Sequence, residues 1–238
     1  RVYGFEHVPA TPLPTASSTS VINQNVYCME KVRGALDAQG FTEDMTYSLR
    51  EKGELALTNA LSSDKSHLRE NLIDGMHESL NKNEYYLPLT GLQELELYEI
   101  GHVFKESGES LYVAIGARAQ TGKNREGRTK NILEEAQAAI AQALGVASLR
   151  SNSNEKGDVV EFDLGEIIPT LTLAATEYPK NPLVDVGIMY TPISPYPFVL
   201  RDIALWAGSA AVGSELVEEL IEKVIHENAG GLLVRLDQ

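Results

Sequence analysis

The chain has 238 residues, 43% of them hydrophobic, with 34 acidic against 20 basic side chains and a formal net charge of −14. That hydrophobic content excludes a disordered chain. No stretch approaches the roughly 18–20 apolar residues of a membrane-spanning helix, and so acidic a balance excludes a protein that grips nucleic acid over its whole surface.

Arg1 stands where an initiating Met is usual, which predicts a fragment or a processed chain. A single cysteine, Cys28, cannot form an internal disulfide and fits a reducing, cytoplasmic setting. Residues 1–18 read as a connector, because Pro9, Pro12 and Pro14 forbid a continuous helix. A single core domain is expected over 19–178. Ile22, Val26, Met29, Val32 and Leu36 recur at helical spacing and predict a helix over Val21–Ala38, with Gly40 just past its end. Phe41–Arg50 reads as a strand with Met45, Tyr47 and Leu49 on one face. Ser62–Asp64 marks a loop, and a second helix is predicted over His67–Asn81, burying Leu68, Leu72, Ile73, Met76 and Leu80.

Glu94–Phe104 and Ser110–Ala117 read as strands joined by a short turn at Gly108, and therefore as an antiparallel hairpin. An Ala-rich helix over Asn131–Leu144 closes at Gly145, and Val159–Leu164 is a further short strand. Strands and helices mix without strict βαβ alternation. This predicts an α+β fold with an antiparallel sheet and flanking helices. Five of the ten prolines fall between Pro179 and Pro197, so 179–196 is expected to be a linker. Beyond it, Val199–Trp206 reads as a strand, Ser214–His226 as an amphipathic helix and Leu232–Leu236 as another strand. Together 197–238 would be the N-terminal half of a ferredoxin-like βαββαβ domain, and such a half unit predicts further chain after Gln238.

Most residue clusters have an ordinary explanation. Gly116–Asn124 superficially resembles a phosphate loop, but the spacing is one residue too long and Asn124 stands where Ser or Thr should hold magnesium. Lys123, Arg125, Arg128 and Lys130 form a basic cluster, read as a solvated loop in preference to a phosphate contact. His67 and His77, placed on one helix, point apart, and no His or Cys set has metal-ligand spacing, so no metal ligand is expected. Cys28 reads as a buried small hydrophobe and Trp206 as a core residue.

One strand carries more. Tyr98-Glu99-Ile100-Gly101-His102-Val103-Phe104-Lys105-Glu106-Ser107 resembles the strand of class II aminoacyl-tRNA synthetases that ends in an ATP-binding Phe-Arg-x-Glu signature. Other stretches extend the resemblance: Arg1-Val2-Tyr3-Gly4-Phe5, Gly40-Phe41-Thr42-Glu43, Leu68-Arg69-Glu70-Asn71-Leu72-Ile73-Asp74-Gly75-Met76, and Tyr196-Pro197-Phe198-Val199-Leu200-Arg201-Asp202. In this order they are similar to the C-terminal part of the β subunits of bacterial phenylalanine–tRNA ligases.

The resemblance implies a synthetase-like core followed by the start of an anticodon-binding domain. It implies a catalytic α subunit and tRNA(Phe) as partners in an α2β2 ligase. ATP and magnesium are implied for the whole enzyme and none for this segment. It marks Phe104, Lys105 and Ser107 as vestigial ATP-motif positions, because Lys lacks the planar fork of Arg and Ser107 removes the carboxylate. No Gly-x-Gly-x-x-x-Arg segment supplies a second arginine between Gly145 and Lys180. No catalytic residue is therefore expected. Arg201 is marked as a tRNA contact, or as the partner of Asp202 in an internal pair. Two rivals remain in view: a diverged core with its own ATP-dependent carboxylate activation through Lys105, and a free-standing tRNA-binding module.

Overall fold

The computed structural model describes residues 4, 7–12, 21–87, 92–119, 124–172, 190, 192, 195, 197, 199, 201, 203 and 214–229. It is a mixed α+β structure that divides into two compact units, 1–183 and 184–238.

The first unit begins with α1 (Gln24–Gln39). The Asn23 side chain caps it by accepting from the Val26 amide, and Gly40 ends it at φ +95°, where a side chain would be strained. The chain then reaches β1 (Thr42–Glu43), β2 (Leu49–Arg50) and β3 (His67–Leu68) before α2 (Ile73–Glu84). Two 12-residue strands follow, β4 (Glu94–Lys105) and β5 (Gly108–Ala119). Then come α3 (Arg125–Leu144), β6 (Asn152–Ser153), β7 (Val159–Asp163) and the short α4 (Leu164–Ile167).

The main sheet has the order β1-β4-β5-β7-β6. β4 and β5 pair antiparallel along their whole length, from Glu94 opposite Ala119 to Lys105 opposite Gly108, so the expected hairpin is present. β5–β7 and β7–β6 are also antiparallel. β1 corrects the expectation of a wholly antiparallel sheet: it runs parallel to β4, with Thr42 opposite Leu97. The chain leaves α1 through Phe41, whose amide donates to the Leu36 carbonyl, and enters the sheet edge in that direction.

Alternation along the strands feeds two cores. On one face Tyr98, Val113, Ile115 and Phe162 pack with Cys28, Val32 and Leu36 of α1 and Leu133, Ala136 and Ile140 of α3. On the other, Leu95, Leu97, Val103, Tyr112, Ala114 and Val159 pack under Leu72, just before α2, and Met76 and Leu80 within it. Each of those three fully buried side chains contributes on the order of 1.5–3 kcal/mol. Gly116 lets α2 approach, since a Cβ there would lie 2.8 Å from Met76 Cγ and 2.9 Å from Leu80 Cδ1.

Three local expectations fail for identifiable reasons. The strand expected over Phe41–Arg50 is two dipeptides in separate sheets, with Met45 and Tyr47 91% and 72% exposed. Between them the chain is bound to other elements: the Asp44 amide donates to the Tyr98 carbonyl, Asp44 accepts from Ser79 Oγ, and Thr46 Oγ1 donates to Glu99. The helix expected from His67 starts at Ile73, because His67 and Leu68 pair with Arg50 and Leu49, and Asn71 Oδ1 accepts the Asp74 amide. Leu68 is consequently only half-buried. The helix expected from Asn131 starts six residues earlier, at Arg125. Gly127 permits this, since the Asn124 side chain occupies the space a Cβ would need.

In the second unit, α5 (Ser214–Ala229) covers the expected helix and runs three residues beyond His226. Leu220 and Val224 are exposed on it, at 61% and 48%. Of the strand expected over Val199–Trp206, Val199, Arg201 and Ile203 are described. All three are exposed and outside any strand, lacking the cover that a half-buried strand needs. The strand expected over Leu232–Leu236 lies outside the described residues, and so do Asp202 and Trp206.

Candidate functional site

The motif positions fall at the hairpin end of β4. Glu106 and Ser107 form the two-residue turn, Phe104 is half-buried, and Ser107 is exposed. Lys105 lies on the α2 face. Its Nζ donates to the Tyr112 hydroxyl at 3.2 Å and sits 5.0 Å from the Tyr112 ring centroid. Burial works against its charge, but the Tyr112 hydroxyl and the carboxylates of Glu161 and Asp163 outweigh it and hold the Lys105 pKa above its ordinary value. Asp163 accepts from Ser110 Oγ at 2.7 Å and from the Glu166 amide at 3.1 Å, which starts α4. Glu161 is only 3% exposed, and its Oε2 accepts the Leu72 amide at 3.0 Å. Burial raises its pKa despite that amide, Lys105, Asn152 and the Ile73 amide.

A second charged cluster lies on the same face. Arg69 and Glu99 are 7% and 2% exposed and form an ion pair at 2.6 Å. Arg69 Nε also donates to the His102 carbonyl at 2.8 Å, and Nη1 to the Thr46 carbonyl and hydroxyl at 3.3 Å. Thr46 Oγ1 donates to the other Glu99 oxygen at 2.7 Å, so both carboxylate oxygens are occupied.

A third cluster lines a cleft of ≈ 580 Å³ beside the far end of α2. Arg118 Nε and Nη2 donate to Asp158 Oδ2 at 2.9 and 2.7 Å, and Nη1 donates to Glu84 at 2.5 Å. Arg125, in the first turn of α3, pairs with the other Glu84 oxygen. His77 Nδ1 lies 3.4 Å from Asp158 Oδ1. Burial opposes ionisation of both acids. The Asn154 amide and Arg118 nevertheless hold Asp158 below the usual carboxylate range, and Arg118 followed by Arg125 does the same for Glu84. Both arginine forks are thus turned onto carboxylates of the chain itself.

The basic cluster read as a loop is partly helical. Arg125, Arg128 and Lys130 lie on α3, Arg125 in the Glu84 pair and Lys130 in an exposed pair with Glu134, while Lys123 lies outside the described residues. Gly116 is in the middle of β5, which removes the phosphate-loop likeness. His67 and His77 are on different elements, β3 and α2. Cys28 is fully buried in the core, its thiol pKa pushed up by burial. Arg201 is exposed. Among the described residues no three His, Cys, Asp or Glu side chains gather as a metal site.

Sequence reading missed the partners Arg69–Glu99, Arg118–Asp158 and Glu161–Leu72. A usable signal existed: Glu99, Arg118 and Glu161 each stand at an inward position between apolar strand neighbours, where a charge must find a partner.

Fold and clusters define an α+β domain whose main, five-stranded sheet is mostly antiparallel, with helices on both faces and, among the described residues, buried charges committed to partners within the chain. The family model of the phenylalanyl tRNA synthetase beta chain CLM domain matches residues 8–164, and the chain belongs to that family. The resemblance read from the motif order is borne out. The beta subunit of phenylalanine–tRNA ligase from Listeria innocua serovar 6a is 24% identical over 283 aligned positions, covering 100% of this chain and 34% of that protein. The Carboxydothermus hydrogenoformans beta subunit is 26% identical, covering 86% of this chain and 31% of its own length. The chain therefore spans about a third of these curated relatives. Among solved structures, PylSc, a pyrrolysyl tRNA synthetase of Desulfitobacterium hafniense, aligns with a TM-score of 0.43 and 17% identity over 59% of this chain and 64% of that one.

Proposed function

We propose that this chain is the synthetase-like core of a phenylalanine–tRNA ligase β subunit, a non-catalytic scaffold for the catalytic α subunit in an α2β2 assembly. In this reading it helps place tRNA(Phe) for ATP-dependent aminoacylation in the cytoplasm. Residues 19–178 form the core, 179–196 the linker and 197–238 the first half of the anticodon-binding domain, with Arg201 as a tRNA contact. Family membership over 8–164 supports the subunit role.

The observation that carries the non-catalytic part is the setting of Lys105. Adenylate formation needs cations aimed at a phosphate on which charge builds up. Here the one motif cation is bound to Tyr112 and already balanced by Glu161 and Asp163, so an approaching phosphate meets two carboxylates. The sheet face beside it is filled by Leu72, Met76 and Leu80. The residues at this place do not fit a nucleotide. Phe104, Lys105 and Ser107 are best read as positions that keep the hairpin, while ATP and magnesium act in the α subunit.

The test is co-purification with the α subunit of the same source, followed by ATP–pyrophosphate exchange. The complex should form and exchange, and the chain alone should not. A well-folded chain that binds no α subunit overturns the scaffold role. Exchange by the chain alone, abolished by Lys105→Ala, overturns the non-catalytic reading in favour of a core with its own carboxylate activation.

A further inference from the structure

Helix α2 covers one face of the sheet, yet part of its N-terminus is tied down by a residue far away in the sequence. Its first turn begins at Ile73, and the preceding Leu72 offers no side-chain cap. Asn71 satisfies the Asp74 amide at 3.0 Å. The Leu72 amide is satisfied by Glu161 Oε2, from the middle of β7, 89 residues on. Glu161 stands opposite Ala114 of β5 and Asn152 of β6, on the face that α2 covers. It is therefore a carboxyl rising from the floor of the sheet to the amide end of the helix above it.

We infer that Glu161 is a latch: its carboxyl fastens the N-terminus of α2 over the Lys105 end of the sheet, and the ionisation of that carboxyl sets how firmly the helix is closed. This rests on the reading of the core as a closed, non-catalytic scaffold.

Three features make the latch charge-sensitive. The carboxyl is almost fully buried, so ionisation must be balanced locally. The balancing groups are few and come from each element around it: the Leu72 and Ile73 amides of α2, Lys105 of β4, the Asn152 side chain of β6, with Tyr112 of β5 and the like-charged Asp163 of β7 beside Lys105. Lys105 is shared, since it also donates to Tyr112 and feels Asp163. Burial outweighs these partners and raises the Glu161 pKa, so the closed arrangement favours the protonated acid. The sign follows. Closure is firmest below the ordinary carboxylate pKa and loosens as pH rises through the raised value, where a charge must be held beneath the helix.

Hydrogen exchange on the whole chain, resolved by residue and corrected for the intrinsic pH dependence of exchange, tests this. In the wild type, protection of the Leu72 and Ile73 amides should fall as pH rises through the Glu161 titration, while that of Ile140 in α3 stays flat. Glu161→Gln keeps an acceptor oxygen and removes the charge, so protection should be kept and its pH dependence lost. Glu161→Ala should lower protection at the start of α2 by about tenfold at every pH, the loss of one hydrogen bond worth about 1.4 kcal/mol. Unchanged protection in Glu161→Ala, a surviving pH dependence in Glu161→Gln, or a loss spread equally over α1 and α3 overturns the latch. None of these outcomes bears on ATP–pyrophosphate exchange, so the latch and the scaffold reading fail separately.

Discussion

Gly101 shows how much a single residue can decide in this core. It sits in β4 beside the Arg69 guanidinium, and a Cβ there would fall inside the space of Nη2. The guanidinium is held by Glu99, the His102 carbonyl and Thr46, so it has no free direction in which to move. Gly101→Ala should dislodge it and leave Glu99 buried without its counter-charge. A stability loss approaching the ~3–5 kcal/mol of a broken buried pair is expected, measured as a shift of the urea midpoint at unchanged slope. A loss below about 1 kcal/mol would mean that the fork can retreat. At this scale the sequence was half legible. Lys105 could be singled out from its motif neighbours, but Arg69 and Glu99 stand 30 residues apart, and no local pattern joins them.

Among the elements, those with uninterrupted periodicity were readable: α1, the β4–β5 hairpin and the Ala-rich part of α3 all lie where apolar spacing placed them. The misreadings occur where side chains compete with backbone ladders. Thr46 and Asp44 break up the expected first strand, and the β2–β3 pairing takes His67 and Leu68 away from α2. The Arg118 cluster joins four elements in the same way, tying α2, β5, α3 and the β6–β7 connection. Its acids give it a pH signature. Glu84 and Asp158 have depressed pKa values, so their stabilisation is fully present above the unfolded carboxylate pKa of about 4 and is lost as pH falls through the lower folded values. Arg118→Met removes the shared cation. The difference in melting temperature between wild type and variant should be largest near neutrality and shrink towards pH 2, followed by circular dichroism. A constant difference would assign Arg118 a packing role alone. Glu161 contributes with the opposite sign on the same curve, which is why the comparison is made between variants.

For the whole molecule, charge is the governing quantity. With a net charge of −14, the chain repels polyanions at long range. tRNA binding by the chain alone should therefore be weak and change little between 50 and 200 mM salt, whereas the complex with an α subunit should bind with a steep salt slope in filter-binding measurements. A steep slope for the isolated chain would favour an independent RNA-binding module. The α+β class and the family were legible from element order and motif order together. The two-unit division of the chain, 1–183 and 184–238, lies in a stretch whose prolines were visible but whose geometry no sequence pattern specifies.

Arg69 has a last consequence, for how such a domain can be assembled. Among the described residues, β1 pairs with just Leu97 and Tyr98 of the long strand β4. Past that point a row of amides and carbonyls would stand open to any passing strand, a common route to unwanted sheet extension. The Phe104 amide is instead taken by the Arg69 carbonyl and the His102 carbonyl by Arg69 Nε, while the Asp44 amide takes Tyr98. One arginine, through both its backbone and its side chain, thus imitates a neighbouring strand. A strand seeking to extend the sheet along this part of β4 would first have to displace Arg69.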